Sequence, residues 1–134
     1  MINFFAMREN EISRIVLDLA INIHKELGPG LLESVYEEVL CYELVRRYGL
    51  SISRQTAIPV VWKEKIMNIG FRADIIIENS VLIELKSIDE LRPVHSKQVL
   101  TYLKLMNLKL GLLINFNEFL LVDGFKRIVN KLDD

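Results

Sequence analysis

The feature that most constrains this chain is an apolar run broken by two charges, Val81-Leu82-Ile83-Glu84-Leu85-Lys86-Ser87-Ile88. Aliphatic residues in such density, preceded by the turn-forming Glu78-Asn79-Ser80, predict a strand. Successive strand residues point to opposite faces, so Glu84 and Lys86 share one. A charge set among apolar neighbours is costly unless it finds a partner or a bound cation. The run before it, Phe71-Arg72-Ala73-Asp74-Ile75-Ile76-Ile77, is interrupted in the same way at Asp74. If the turn takes the three residues 78–80, Ile77 lies opposite Val81 and Asp74 opposite Glu84, with Cβ atoms roughly 5 Å apart. A two-residue loop would slip the register by one and send the two carboxylates to opposite faces. A shared metal site therefore demands the longer loop or a bulge.

The rest of the chain supplies a frame for these strands. Ile12, Ile15, Val16, Leu19, Ile23 and Leu27 recur at helical spacing over about Asn10 to Leu27, and Gly28-Pro29-Gly30 ends that helix. A second helix is predicted from about Leu31 to Tyr48, burying Leu32, Val35, Val39, Leu40 and Leu44 and stopped by Gly49. Strands are expected at 58–62 and, after a Lys63-Glu64-Lys65 turn, over about Ile66 to Ile77 with a break near Asn68 or Gly70. After the 81–88 strand, Pro93 starts a third helix running from about Val94 to Asn107. Leu110 to Phe116 and about Phe119 to Ile128 complete the set as strands. The order is ααβββαββ. The unbroken apolar stretch GLLINF implies burial on both faces, which calls for an α/β fold with a mixed central sheet flanked by helices.

Composition narrows the class. The 134 residues are 51% hydrophobic and 26% charged, enough apolar material for one core, and 1–134 reads as a single domain with residues 1–8 as an extension. The net charge of −1 gives no general electrostatic grip on nucleic acid, so any such contact must rest on a local patch or a bound cation. The lone cysteine, Cys41, excludes an internal disulfide and fits a reducing compartment. The amino-terminal run is too short for a secretion signal and no stretch reaches membrane-spanning length, so the expectation is a cytoplasmic protein. Oxygen donors without a His/Cys cluster suit Mg²⁺ or Mn²⁺ rather than zinc. Lys86, beside such an ion, is placed to orient or deprotonate an attacking water. Read from the residues alone, a salt-bridge network at a strand end explains Asp74, Glu84 and Lys86 equally well.

The pattern of Asp74 followed by Glu84-Leu85-Lys86 resembles the PD-(D/E)xK nuclease superfamily. Gly30-Leu31-Leu32-Glu33-Ser34-Val35-Tyr36 reads G-x-x-E-x-x-Y, the signature of the GxxExxY family within it. Segments 23–28, 98–103 and 111–116 are also similar to that family, so the likeness runs from about Ile12 onward. Ala73 stands where the superfamily name expects Pro. The resemblance implies a restriction-endonuclease-like core and a Mg²⁺-dependent nuclease acting on DNA. It implies Asp74, Glu84 and the Leu85 carbonyl as metal ligands and Lys86 as the catalytic lysine. Glu33 would be an additional acid binding metal directly or through water, and Gln98 a further site residue contacting the scissile phosphate.

Helical spacing agrees with two of these placements. Glu33, Tyr36 and Glu37 lie on one face of the second helix, and His95, Gln98 and Tyr102 on one face of the third. Glu37 is expected to be a solvated bystander, Tyr36 and Tyr102 packing residues with one hydrogen bond each, and His24 a satisfied core residue. Arg72, Arg92, Lys97 and His95 form either a phosphate-contacting patch or ordinary surface. The competing function is a non-catalytic nucleic-acid- or protein-binding accessory module on the same fold, relying on a partner or on self-association into a homo-oligomer.

Overall fold

The computed structural model describes residues 8–68 and 70–132. In these, three helices and seven strands follow in the order α1 (Glu9–Leu27), α2 (Glu33–Tyr48), β1 (Ile52–Ala57), β2 (Val60–Trp62), β3 (Lys65–Met67), β4 (Arg72–Ile77), β5 (Val81–Lys86), α3 (Pro93–Met106), β6 (Leu110–Asn115) and β7 (Phe125–Val129), with a 3₁₀ turn at Leu121–Gly124. The expected order ααβββαββ is corrected in two places. A strand, β1, precedes the first one expected. The expected break near Asn68 or Gly70 is complete, so the run over 66–77 counts as two strands, β3 and β4, rather than one. Of the expected 1–8 extension, only Arg8 is among the described residues; its carbonyl accepts the Glu11 and Ile12 N–H groups at the start of α1.

Both long helices bury a stripe at three- and four-residue spacing. On α1 this is Ile12, Val16, Leu19, Ala20 and Ile23, while Leu27 is exposed. On α2 the buried side is Tyr36, Glu37, Leu40, Cys41 and Leu44. Leu32 and Val35, expected in that stripe, are exposed, because the helix starts only at Glu33 and its inward face is turned toward Tyr36. Gly49 closes α2 at φ 61°, a left-handed conformation that costs glycine nothing.

Five strands form one sheet in the order β1-β4-β5-β6-β7, and β2-β3 form a separate hairpin. Only β5 and β6 run parallel; the other neighbours are antiparallel. β6 is buried along its whole length, as GLLINF requires. One face packs Ile75, Ile77, Val81, Ile83 and Leu85 against α1 and α2. The other packs Ile76, Leu82 and Leu113 against Val99, Tyr102 and Leu103 of α3. There α3 comes so near that a Cβ at Gly111 would lie 2.5 Å from Val99 Cγ1. Each fully buried aliphatic side chain contributes roughly 1.5–3 kcal/mol, so the core comes from β4–β6 with a helix layer on each side.

The β4–β5 register answers the question of loop length. Ile77 pairs with Val81, Ile76 with Leu82 and Ile75 with Ile83. Glu78 and Asn79 take left-handed φ values of 53° and 52°, the Ser80 N–H returns to the Ile77 carbonyl, and Ser80 is the extra residue. The connection is the three-residue one, and this register carried one step beyond Ile75 and Ile83 leads to Asp74 and Glu84.

Candidate active site

The β4–β5 ladder runs only as far as Ile75 and Ile83. Beyond that pair the carboxylates take over the backbone donors. The Asp74 N–H donates to Glu84 Oε1 (3.1 Å), and the Leu85 N–H donates to Asp74 Oδ2 (2.8 Å). Each acid thus caps the strand of the other. Ala73 packs with the α3-side cluster although Ile75 and Ile77 pack on the opposite side, so β4 turns over within the segment that carries Asp74.

Electrostatics at this point are unfavourable without a cation. Glu84 is buried, and loss of solvent together with the nearby Asp74 charge pushes its carboxyl up to about 8. Asp74, half-buried, is also raised, chiefly by burial, while the Leu85 N–H and the Gln55 amide pull the other way. The Lys86 charge favours the ionised form of both acids, and Glu33 opposes it. Tyr102, on α3, is raised by burial and then by the charges of Glu84 and Asp74, so its hydroxyl belongs to the same electrostatic neighbourhood.

The G-x-x-E-x-x-Y segment is a clamp on the end of β5. The Tyr36 hydroxyl donates to the Gly28 carbonyl (2.5 Å) and accepts the Leu31 N–H (3.2 Å), and its ring stacks on Phe116 at 4.2 Å. This fixes the turn before α2, in which Gly30 adopts φ 94°. Ser87, just past β5, donates its N–H to Glu33 Oε2 (3.0 Å) and its hydroxyl to the Leu31 carbonyl (2.6 Å). Glu33 is thereby brought to the carboxylate pair, though its own carboxylate is turned to backbone. Among the described residues no group of three or more His, Cys, Asp or Glu side chains is set to hold a metal ion. Asp74 and Glu84, with the adjacent Leu85 carbonyl as a further oxygen, make a donor set that fits a hard divalent cation in chemistry.

Of the other residues picked from sequence, Lys86 is half-buried on the face of Glu84. Gln98 is exposed one helical turn before Tyr102, and its side chain makes no hydrogen bond among the described residues. His24 is a satisfied core residue, its Nε2 2.7 Å from the Glu118 carbonyl. His95 Nδ1 accepts the Arg92 N–H at the start of α3.

Glu37 is not the solvated residue expected. It is buried and held by Arg54 (2.9 Å) and by the Gln55 amide (2.8 Å), which also reaches Asp74 Oδ1 (3.2 Å). Gln55 does this from a φ of 50° in the middle of β1. Asn115, fully buried, holds the Ile88 N–H and carbonyl with its amide and so fixes the chain leaving the site. Neither Gln55 nor Asn115 stood out as a site residue in the sequence. The one available signal for Asn115 was a polar residue inside GLLINF.

A mixed sheet flanked by helices, opened between two central strands at paired acids with a lysine two residues on, defines a restriction-endonuclease-like α/β fold. The model of the PD-(D/E)XK nuclease superfamily matches residues 10–128, and the chain belongs to that superfamily, whose members are generally nucleases. No curated protein and no solved structure matches it. Among the described residues no helix is long and apolar enough to cross a membrane.

Proposed function

We propose that the chain is a Mg²⁺- or Mn²⁺-dependent nuclease of the GxxExxY type that hydrolyses phosphodiester bonds of DNA. The observation carrying this reading is the mutual capping of Asp74 and Glu84 where the β4–β5 ladder ends, with Lys86 on the same strand. Asp74, Glu84 and the Leu85 carbonyl would hold the cation. Bound there, it would supply Lewis acidity toward a phosphate oxygen and a lower pKa for water.

The chain's own residues have the remaining tasks. Lys86 orients the attacking water and offsets the charge that builds on phosphorus. The water oxygen bonds to phosphorus as its proton passes to solvent, the bond from phosphorus to the leaving sugar oxygen breaks, and a proton reaches that oxygen from solvent. Glu33, fixed by Ser87, keeps the end of β5 in register with α2 and adds negative potential for the cation. Gln98, above Tyr102 on α3, contacts the phosphate. The single-domain reading of 1–134 and a cytoplasmic setting belong to the same proposal; the second rests on Cys41 as a lone free cysteine, which fits a reducing compartment.

Cleavage of single-stranded and plasmid DNA with Mg²⁺, by wild type and by Lys86→Ala, tests the reading together with calorimetric Mn²⁺ titration of wild type and Glu84→Gln. Cleavage by wild type only, and weaker Mn²⁺ binding by Glu84→Gln, are expected. Equal Mn²⁺ binding by the two proteins would sink the site. The accessory-module reading draws on the two-carboxylate donor set and the net charge of −1. It predicts nucleic-acid or protein binding with no cleavage of plasmid, linear, single-stranded or branched DNA.

A further inference from the structure

The β2–β3 hairpin lies outside the sheet and buries little. Its two strands pair Val60 with Met67, Val61 with Ile66 and Trp62 with Lys65, around a Lys63-Glu64 tip in which both φ values are left-handed. Val61, Trp62 and Ile66 are 56%, 65% and 70% exposed. A two-stranded ribbon with apolar side chains in water on both faces is marginal by itself and marks an interaction site.

Its stem leads into the active site. The Ile58 N–H bonds the Phe71 carbonyl, continuing the β1–β4 pairing from Ala57 and Arg72, and Asp74 is two residues further along. Phe71, itself exposed, packs on Tyr102 with ring centroids 5.8 Å apart, and Tyr102 adjoins Glu84 and Asp74 electrostatically. Seven positions separate Trp62 from Gln55, whose amide is bonded to Asp74, so at ~3.3 Å per residue the Cα atoms of Trp62 and Gln55 lie within about 23 Å of each other. Cations accompany the rings. Lys63 Nζ sits 5.7 Å from the Trp62 ring, Lys65 is the cross-strand partner of Trp62, and the Arg72 guanidinium is exposed at the stem, bonded to the Gln55 carbonyl.

We propose that this hairpin is a binding arm for an unpaired nucleic-acid strand, with a base stacked on Trp62, phosphates met by Lys63 and Lys65, and Phe71 guiding the strand toward Asp74 and Glu84. The proposal rests on the nuclease reading and supplies its substrate class. Stacking needs no net charge, which suits a chain of formal charge −1, and it accepts any base because every base presents a ring face. Duplex bases are already stacked on one another, so the arm selects single strands, flaps or gaps.

Trp62 is the only tryptophan in the sequence, so intrinsic fluorescence reports on this contact alone. Lys86→Ala protein in Mg²⁺, titrated with oligothymidylate of about 12 nucleotides, within the site sizes of ~4–16 usual for such binders, is expected to lose emission on binding, whereas blunt duplex leaves emission unchanged. By fluorescence anisotropy of a labelled strand, adding Trp62→Ala weakens binding about tenfold and Trp62→Phe restores most of it. With two phosphate contacts, log affinity falls against log salt with a slope of about −1.4. Unchanged affinity in Trp62→Ala, or equal quenching by blunt duplex, overturns the arm. A protein that cleaves nothing yet quenches on oligothymidylate keeps the arm and removes the nuclease reading. One that cleaves duplex in Mg²⁺ without ever quenching does the reverse.

Discussion

The two ends of the β4–β5 pair are built from the same strands by opposite rules. At the turn end Ile75, Ile77, Val81 and Ile83 are fully buried, their backbones are laddered, and nothing polar interrupts them. At the other end Asp74 and Glu84 replace the ladder with side-chain bonds, and Glu84 is pushed up to about 8 by burial and by its neighbour. The closed end stores stability. The open end gives stability up to hold one buried and one half-buried acid side by side, which is how a site acquires affinity for a cation.

That contrast is broken most sharply by Lys86→Ala. If the open end is catalytic, DNA cleavage in Mg²⁺ falls roughly 10²- to 10⁴-fold while the melting temperature barely moves, because Lys86 is only half-buried and lies outside the apolar clusters. Parallel loss of activity and melting temperature would make Lys86 structural. At the closed end the expectation is reversed. Ile83→Ala leaves a cavity between the sheet and α1–α2 and costs ~2–5 kcal/mol, seen as a lower denaturant midpoint, and the folded fraction keeps its Mn²⁺ affinity.

The sequence displayed the closed end and the acids more clearly than what positions them. Apolar runs placed β4, β5 and β6, and left two turn lengths open, of which the three-residue one that sets Asp74 against Glu84 is the one formed. Strand β1 was missed because Ile-Ser-Arg-Gln-Thr-Ala carries no apolar alternation; it is an edge strand whose middle residues are exposed. With it went Gln55 and Arg54, and so the reason Glu37 can be buried. Leu32 and Val35 were misplaced because helical periodicity is blind to where a helix begins. Here Tyr36, bonded across to Gly28, holds the preceding residues off the helix. In each case the deciding contact joins residues that no local pattern relates.

The next contrast concerns protons. Glu84 has a folded value near 8 against 4.5 for the free side chain, so the folded chain binds the extra proton. The stability this provides is fully present below 4.5 and is lost as pH rises through 8. In metal-free buffer, thermal melts of wild type should therefore decline over that window. Glu84→Gln, which keeps the shape and cannot ionise, should decline less and gain more than ~1 kcal/mol at pH 8. Added Mg²⁺ should raise the wild-type melting temperature more at pH 8 than at pH 6, since cation and proton compete for one carboxylate. A flat metal-free profile for wild type would mean that Glu84 is not held against Asp74 as described.

The smallest expected effect sharpens the same contrast, because the open end needs an external brace and the closed end does not. Gln55 reaches both Glu37 and Asp74 from a φ of 50°, a conformation that costs a non-glycine residue ~1–3 kcal/mol. Gln55→Ala and Gln55→Gly both remove the amide, but only glycine relieves the backbone. Both should lower cleavage by a few-fold, up to about tenfold, by loosening Asp74. Glycine should unfold later than alanine in urea by ~1 kcal/mol. Strain and positioning thus separate within one residue. If alanine and glycine differ in activity and not in stability, the left-handed backbone itself, rather than the amide, sets Asp74 in place. If both variants cleave like wild type, Asp74 is held by the Leu85 N–H alone.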